Sequence, residues 1–489
     1  MTGRPDDGGS AGPPLRPTSR KRNIRAAADA IAPHWDSWIA GRGFVHAEDE
    51  RFLRFLIPGG ARVLDLGCGT GAQLAALAPT RGVGVDFSEA MILEARRRHP
   101  DLEFHVGDIE DPSVLARLAG PFDVILLSDT VESLEDVQAL FEQLHSLCGP
   151  ATRVVLASTS ALWSPVLRAS RGSAGVAQPE PNWLSSRHLG GILDLADFDV
   201  VREDSRQLLP VRALGLGPWV NRFVGTLPGV RRGAIRTYLV ARSRRAEPAR
   251  GPSATVVIPC RNEAGNIAPA VDRMPDFCED LEIIFVEGHS QDHTVSEIQA
   301  LIEREPARDI KLLHQGGVGK ADAVRTGFDA ARGDVLMILD ADLTMPPEDL
   351  PKFYEAIVSG RGELVMGTRL VYPMEDDAMR TLNILGNKLF SLAFTWLLNQ
   401  RITDTLCGTK VLSRADYDEI KRGRAYFGDF DPFGDFDLIF GAAKLNLKIL
   451  EIPVRYRART YGTTQISRFR HGLLLARMVL VAYRKLKAV

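Results

Sequence analysis

The 489 residues include only five cysteines, Cys68, Cys148, Cys260, Cys278 and Cys407, scattered singly and with no CxxC pair among them. So sparse and odd a set argues against a disulfide framework and against a structural zinc site, and it points to a reducing, cytoplasmic setting. No apolar run reaches the roughly 18 residues that suggest a membrane span. The longest stretches, Leu389 to Leu398 and Met478 to Tyr483, suit a core or a membrane interface. Neither sign of charge dominates, with 60 basic against 62 acidic residues and a formal net charge of −2. Aromatic and basic residues do not interleave in the manner of single-strand binders, so nucleic acid is not an expected partner. Residues 1–22 are rich in Gly, Pro and Arg without an apolar segment, which reads as a disordered tail rather than a secretory signal.

The length exceeds what one core usually supports. From about Arg62 to Val240, short β-branched runs (RVLDLG, GVGVD, LEFHVGD, FDVILLSD, RVVLAS, FDVVRED, RTYLVAR) alternate with helical stretches. The alternation restarts with TVVIPC, LEIIFVEG, IKLLHQ, DVLMILDAD, ELVMGTRL and LKILEIPVRY. Such alternation marks open α/β sheets covered on both faces. The polar, proline-containing stretch Ser243 to Ser253 reads as a linker. The expected organisation is a tail at 1–22, one α/β domain at 23–242, the linker at 243–253 and a second α/β domain at 254–489.

In the first domain, the strand ending at Leu66 runs into Gly67, Cys68, Gly69, Thr70 and Gly71. Alternating glycines let the backbone approach a ligand at the C-terminal edge of a sheet. The next strand ends in Asp86, nineteen residues beyond Gly67, where an acid can hold ribose hydroxyls. A third strand ends in Gly107, Asp108 and Ile109. The GxGxxG spacing of a nicotinamide dinucleotide site is not met, because Gly71 comes one position early. These residues resemble the class I S-adenosylmethionine-dependent methyltransferases over roughly Arg51 to Val240. The resemblance implies a Rossmann-like sheet in which Asp65, Gly67 and Gly69 hold the methionine end of S-adenosylmethionine, Asp86 its ribose, and Asp108 with Ile109 its adenine, Gly71 being a further cofactor-binding residue of the loop. Asp129 and Glu132 follow the fourth strand, where this family often faces substrate, or else complement a helix N-terminus. The methyl acceptor is not encoded in any motif. A glycan or glycolipid is the class that fusion to the second domain suggests.

In the second domain a buried strand ends in Leu339-Asp340-Ala341-Asp342-Leu343. Carboxylates at i and i+2 leaving a strand edge can both reach one hard divalent cation, which in turn binds a diphosphate. Together with VVIPCRNE and VEGHS, this element resembles family 2 glycosyltransferases of GT-A fold, the dolichyl- or polyprenyl-phosphate mannose synthase group in particular, over about Ala254 to Leu474. The resemblance implies that Asp340 and Asp342 hold Mg²⁺ or Mn²⁺. It also implies that Pro259, Arg261 and Glu263 line base and ribose, that Glu287 replaces the usual Asp of the second loop, and that Lys320 lies near base or phosphates. Arg369 and Arg380 would offer guanidinium forks to phosphate oxygens. Thr344 stands where a Gln is common, and Glu287-Gly288-His289-Ser290 departs from the usual DDGS loop, which leaves GDP-sugar and UDP-sugar both open.

Lookalikes fail on their own chemistry. Gly319-Lys320 lacks the first glycine of a phosphate loop, since His314 stands there, and Ala321 replaces its hydroxyl residue; His289 and His293 have Ser290 where a zinc protease needs Glu.

A polyprenyl phosphate acceptor is already ionised at neutral pH and needs no strong base, whereas a soluble hydroxyl acceptor would need one, for which Asp435 and Asp437 are candidates unless they cap a helix. Arg455, Arg457 and Arg459 alternate, so a strand would aim all three the same way at the acceptor phosphate. From Ile452 to Val489 there are nine Arg or Lys residues and no Asp or Glu, a field that attracts phosphates or an anionic membrane. The stretches around Leu389 to Leu398 and at the C-terminus combine apolar runs with cations, as interfacial helices do. The expected whole is a bifunctional transferase meeting its lipid acceptor at the inner face of the cytoplasmic membrane. The alternative is a transferase for a soluble acceptor, regulated by a non-catalytic module that binds S-adenosylmethionine.

Overall fold

The computed structural model describes residues 18–35, 43–172, 180–245, 251–369, 371, 381–428, 434–457, 459, 461 and 468–489. The chain divides into two compact units, residues 1–50 with 59–196 and residues 51–58 with 197–489. Among the described residues the strands form two seven-stranded sheets.

The first sheet comprises β1 (Arg62–Leu66), β2 (Arg81–Asp86), β3 (Glu103–Val106), β4 (Phe122–Ser128), β5 (Cys148–Thr159), β6 (Phe198–Arg206) and β7 (Arg236–Ser243), in the order β3-β2-β1-β4-β5-β7-β6. β1 pairs in parallel with both β2 and β4, while β6 and β7 form an antiparallel pair. A parallel strand flanked on both sides and covered on both faces must be apolar almost throughout, which is why Val63, Leu64 and Leu66 are at most 1% exposed. Burying each such side chain contributes about 1.5–3 kcal/mol.

The second sheet comprises β8 (Ala254–Cys260), β9 (Leu281–Glu287), β10 (Asp309–His314), β11 (Val335–Ile338), β12 (Leu364–Thr368), β13 (Lys410–Ser413) and β14 (Ile449–Pro453), in the order β10-β9-β8-β11-β13-β12-β14. β13 runs antiparallel to both β11 and β12, which makes this sheet mixed. The hydrophobic pattern does not reveal β13, because its four residues, KVLS, are too short to show a period.

In each sheet the strand order grows outward in two directions from one strand, and ligands bind in the crevice where it reverses. That crevice lies beyond the C-terminal ends of β1 and β4 in the first sheet and of β8 and β11 in the second. The glycine loop follows β1, and the Asp340-Ala341-Asp342 turn follows β11.

Composition assigns residues 19–22 to an irregular tail, yet they open a helix, Ser19–Ile31, because the Thr18 side chain caps it by accepting the Lys21 N–H at 3.2 Å. Among the described residues no helix is long and apolar enough to cross a membrane.

Candidate functional site

At the first crevice, Gly67 has φ +82°, and a Cβ there would lie 2.4 Å from Thr130 Oγ1. Glycine is thus required both for the left-handed turn and for the close approach of the loop after β4. Thr130 in turn donates to the Leu66 carbonyl at 2.8 Å and ties the two strand ends together. Asp86 accepts the Gly69 N–H with one oxygen and the Ser88 N–H with the other, each at 2.9 Å, so it shapes the glycine loop. Burial raises the Asp86 carboxyl above its ordinary range, and these two N–H groups oppose that rise. Asp65 is 2% exposed; burial, and then the charge of Asp86, push its carboxyl up to about 7.

A cavity at this edge is lined by Gly67, Asp86, Gly107, Asp108, Ile109 and Asp129, among others. It thus gathers Gly67 with Asp86, Asp108 and Ile109. Gly69 and Gly71, with φ +53° and +73°, complete the loop's turns.

The N-terminal helix supplies a cavity residue that no sequence motif foreshadows. Lys21 forms ion pairs with Asp108 and with Glu110, the latter at 2.7 Å. Arg20 holds the loop after β4 by donating to the carbonyls of Glu132 at 2.9 Å and Leu134 at 3.0 Å. Asp29 accepts from Ser88 Oγ at 2.5 Å, and no residue of this helix is buried. These polar contacts attach it alongside a half-buried apolar face of Ile24, Ala27, Ala28 and Ile31. The two acids after β4 do not cap a helix, because the next helix begins at Val137 with Asp136 as its cap; Glu132 accepts the Thr159 N–H at 3.1 Å.

At the second crevice the two carboxylates of the turn each face a cation from a different element. Asp340 pairs with Lys320, which opens the Lys320–Ala330 helix, at 2.6 Å. Asp342 pairs with Arg459 at 2.8 Å and accepts the Thr344 N–H and hydroxyl at 3.1 and 2.8 Å. Arg459 also reaches Glu263 at 3.1 Å, joining the loop after β8 to the turn after β11. Burial raises the Glu263 carboxyl, partly offset by Arg459. Burial also works against charge on Asp340, yet Lys320 and then Lys410 hold its carboxyl below the usual range.

Behind Asp340 lies a second layer of charge. Lys410, fully buried, donates to the Cys407 carbonyl at 2.7 Å and pairs with Asp435 at 3.0 Å, and Asp435 lies 3.8 Å from Lys320. A Cβ on Gly408 would sit 1.9 Å from Asp340 Oδ2, so only glycine leaves room for that carboxylate. Sequence reading misses both Lys410 and Gly408. The one available signal is a glycine just before a short apolar run.

Other residues singled out by sequence have different partners. Arg369 spends its fork on buried Asp404, Nε and Nη2 donating at 2.6 and 2.8 Å, and its guanidinium carbon lies 5.0 Å from the centre of the Tyr456 ring. Removing one member of such a buried pair costs about 3–5 kcal/mol because the other charge is stranded. Asp437 lies in the first turn of the Asp435–Lys444 helix and pairs with Arg325 at 3.2 Å and Arg424 at 2.6 Å. Glu287 accepts the Ser290 N–H and faces His314 at 3.1 Å, and its carboxyl is lowered because these contacts outweigh burial. Pro259 pairs in register with Val286 in β9, and Arg261 is exposed on the loop beyond β8. Arg380 lies outside the described residues. The expected strand carrying Arg455, Arg457 and Arg459 ends early, at Pro453; Arg457 then donates its N–H to the Thr344 carbonyl at 3.0 Å.

Among the described residues no group of three or more His, Cys, Asp or Glu side chains converges on a point. The two turn carboxylates remain a hard-oxygen pair of the kind that Mg²⁺ or Mn²⁺ accepts, with the balance of ligands left to water and a diphosphate. The donor set fits such an ion.

Residues 255–420 match the model of glycosyl transferase family 2, and residues 43–203 match that of a methyltransferase domain. The chain joins a methyltransferase domain to a family 2 glycosyltransferase domain. Its glycosyltransferase domain is 36% identical over 119 residues to the dolichol-phosphate mannosyltransferase of Pyrococcus furiosus, covering 24% of this chain and 33% of that one. It is 33% identical over 110 residues to the undecaprenyl-phosphate 4-deoxy-4-formamido-L-arabinose transferase of Pseudomonas paraeruginosa, covering 22% and 32%. The chain thus spans about a third of the length of these two curated relatives. A solved SAM-dependent methyltransferase of Thermotoga maritima, a possible histamine N-methyltransferase, is similar at 15% identity and a TM-score of 0.36, covering 45% of this chain and 99% of that one.

Proposed function

We propose that the chain is a bifunctional transferase: its glycosyltransferase domain moves a hexose from a GDP- or UDP-sugar to a polyprenyl phosphate with inversion, and its methyltransferase domain uses S-adenosylmethionine. The observation that carries the first half is the pair Asp340 and Asp342 at the β8/β11 crevice, each balanced by a cation from another element. A divalent ion held by these two carboxylates would neutralise charge on the departing diphosphate. Lys320 and Arg459 already stand against the same carboxylates and orient them. In the transfer, an acceptor phosphate oxygen bonds to the anomeric carbon as the bond from that carbon to the diphosphate breaks, and the nucleoside diphosphate leaves.

The surroundings of Asp437 favour a phosphate acceptor over a hydroxyl. Two guanidinium groups hold that carboxylate in ion pairs, Arg325 at 3.2 Å and Arg424 at 2.6 Å, so it already serves the chain's own charge network. An acceptor phosphate, already ionised, needs no base. The names of the two relatives, which specify dolichol phosphate and undecaprenyl phosphate, agree with this choice. The test supplies the full chain with labelled GDP- and UDP-sugars, Mg²⁺ or Mn²⁺ and a short polyprenyl phosphate in detergent. Label is expected in the organic phase, and label found only in water-soluble acceptors rules the reading out.

For the methyltransferase half, the Gly67 cradle and the cavity beyond β1 fit S-adenosylmethionine, which supplies a methyl group on a sulfonium. Asp65 gives this reading a pH signature. Its folded value of about 7 lies above the ordinary 3.8, so the folded chain keeps a proton that the unfolded chain releases between those values. That contribution to stability is present below pH 3.8 and is lost as the pH rises through 7. A cationic ligand head beside Asp65 favours the ionised form. Binding of S-adenosylmethionine therefore strengthens from about pH 6 to 8 and releases a proton. Calorimetry in buffers of different ionisation enthalpy measures that release, and Asp65→Asn should flatten the profile.

A further inference from the structure

The connection between β6 and β7, residues 207–235, exposes more apolar surface than its position explains. Val211, Leu216 and Trp219 are about half exposed and Leu214 completely so, with Phe223, Leu227 and Val230 partly uncovered. Ala213 and Leu214 adopt φ +42° and +55°, left-handed conformations that cost energy for residues with a Cβ. The backbone is thus strained at the very place where a leucine is turned out into solvent, the reverse of what internal packing would select.

The connection is held firmly despite that exposure. Buried Asn221 closes it by exchanging two hydrogen bonds of 2.8 Å with the Leu209 backbone. Three further bonds fix it to one of the two helices whose composition suits an interface and to the chain just beyond the other: Trp396 Nε1 to the Thr226 carbonyl at 3.0 Å, Tyr483 Oη to the Phe223 carbonyl at 2.9 Å, and Arg222 Nε to the Ala488 carbonyl at 2.5 Å. Those helices, Thr381–Leu398 and Arg468–Ala482, expose leucines of their own: Leu389 with Leu392, three residues apart, and Leu473 with Leu480, seven apart, so each pair shares a helix face.

Charge selects the occupant. From Gln207 to Arg245 there is no Asp or Glu, while Arg212, Arg222, Arg231, Arg232 and Arg236 lie within the connection or at its end. Arg212, Arg222 and Arg232 are exposed among the apolar tips. Leucine tips with a half-exposed tryptophan, set among guanidinium groups and free of acid, match a bilayer of anionic lipid, where the apolar tips enter the acyl boundary and the cations stay with the headgroups.

We infer that residues 207–235 are a membrane-docking element that seats the chain on an anionic phospholipid surface beside the helices Thr381–Leu398 and Arg468–Ala482. This deepens the lipid-acceptor reading and rests on it for its purpose, but it is tested without any acceptor.

The full chain is sedimented with vesicles of phosphatidylglycerol and phosphatidylcholine, with vesicles of phosphatidylcholine alone, and in raised salt. The expected result is binding to the anionic vesicles that weakens with salt. Leu214→Asp combined with Trp219→Asp should lower the vesicle affinity at least tenfold while the chain stays folded, since Leu214 is fully exposed and Trp219 about half exposed, with circular dichroism as the control. Arg212→Glu combined with Arg232→Glu should abolish the preference for anionic lipid. Equal binding by the Leu214/Trp219 variant overturns the inference, as does wild-type binding indifferent to lipid charge. So does a wild-type chain that ignores vesicles and instead forms a dimer that this variant abolishes. Sugar transfer to a polyprenyl phosphate in detergent, measured on the same variants, keeps the two readings apart: its failure in the wild type removes the acceptor assignment and leaves the vesicle result standing.

Discussion

Replacing Asp340 and Asp342 together by asparagine abolishes sugar transfer, with a loss of about 10³-fold or more, while the chain stays folded. Deleting a single well-placed electrostatic contact to a transition state already costs about 10²–10³ in rate, and this change removes two charges from the place where the diphosphate departs. The fold survives because both side chains lie on a turn beyond β11, not within the sheet, and because asparagine keeps their shape. Lys320 loses its 2.6 Å partner but retains Asp435 at 3.8 Å, so its charge is not left alone. Single-turnover transfer, with circular dichroism as the control for folding, measures the effect. Turnover within a few-fold of wild type would remove the carboxylate pair from the mechanism.

The second large effect is expected at Asp86. Asp86→Ala removes the acceptor for the Gly69 and Ser88 N–H groups, both at 2.9 Å, and so unties the glycine loop from the β2 edge. Hydrogen bonds to a charged group are worth about 1.5–3 kcal/mol each, and every 1.4 kcal/mol is tenfold in affinity, so with two bonds lost S-adenosylmethionine should bind about 100-fold more weakly or worse. Titration calorimetry checks this. The glycosyltransferase activity of the same variant serves as the internal control and is expected to be unchanged. Binding within threefold of wild type would mean that the loop is held without Asp86 and that no ribose contact is lost.

Both crevices were legible from residue order because each is a local event, an apolar strand ending in small or acidic residues at the edge where a parallel sheet receives ligands. The partners of those residues were not legible. Arg369 carries the residue type of a phosphate fork, yet Asp404, 35 positions away, takes both arms of that fork. Asp437 carries the type of a base or a cap, and two arginines from separate segments neutralise it. Lys21, in a run of basic residues that composition alone would leave in solvent, reaches Asp108. In each case an ion pair forms across a sequence separation that no periodicity records.

Alternation of short apolar runs with helical stretches was enough to determine two α/β sheets, because burial on both faces forces a parallel strand to be apolar throughout. Glycine spacing likewise announced the loop after β1, since only glycine tolerates its turns. Tertiary structure alone decided that β13 inserts antiparallel between β11 and β12, that Gly408 makes room for the Asp340 carboxylate, and that Leu214 stands out in solvent on a strained turn. Those outcomes depend on which distant segments meet, and a chain's local pattern carries the hydrophobic sign of a residue but not the identity of its neighbour.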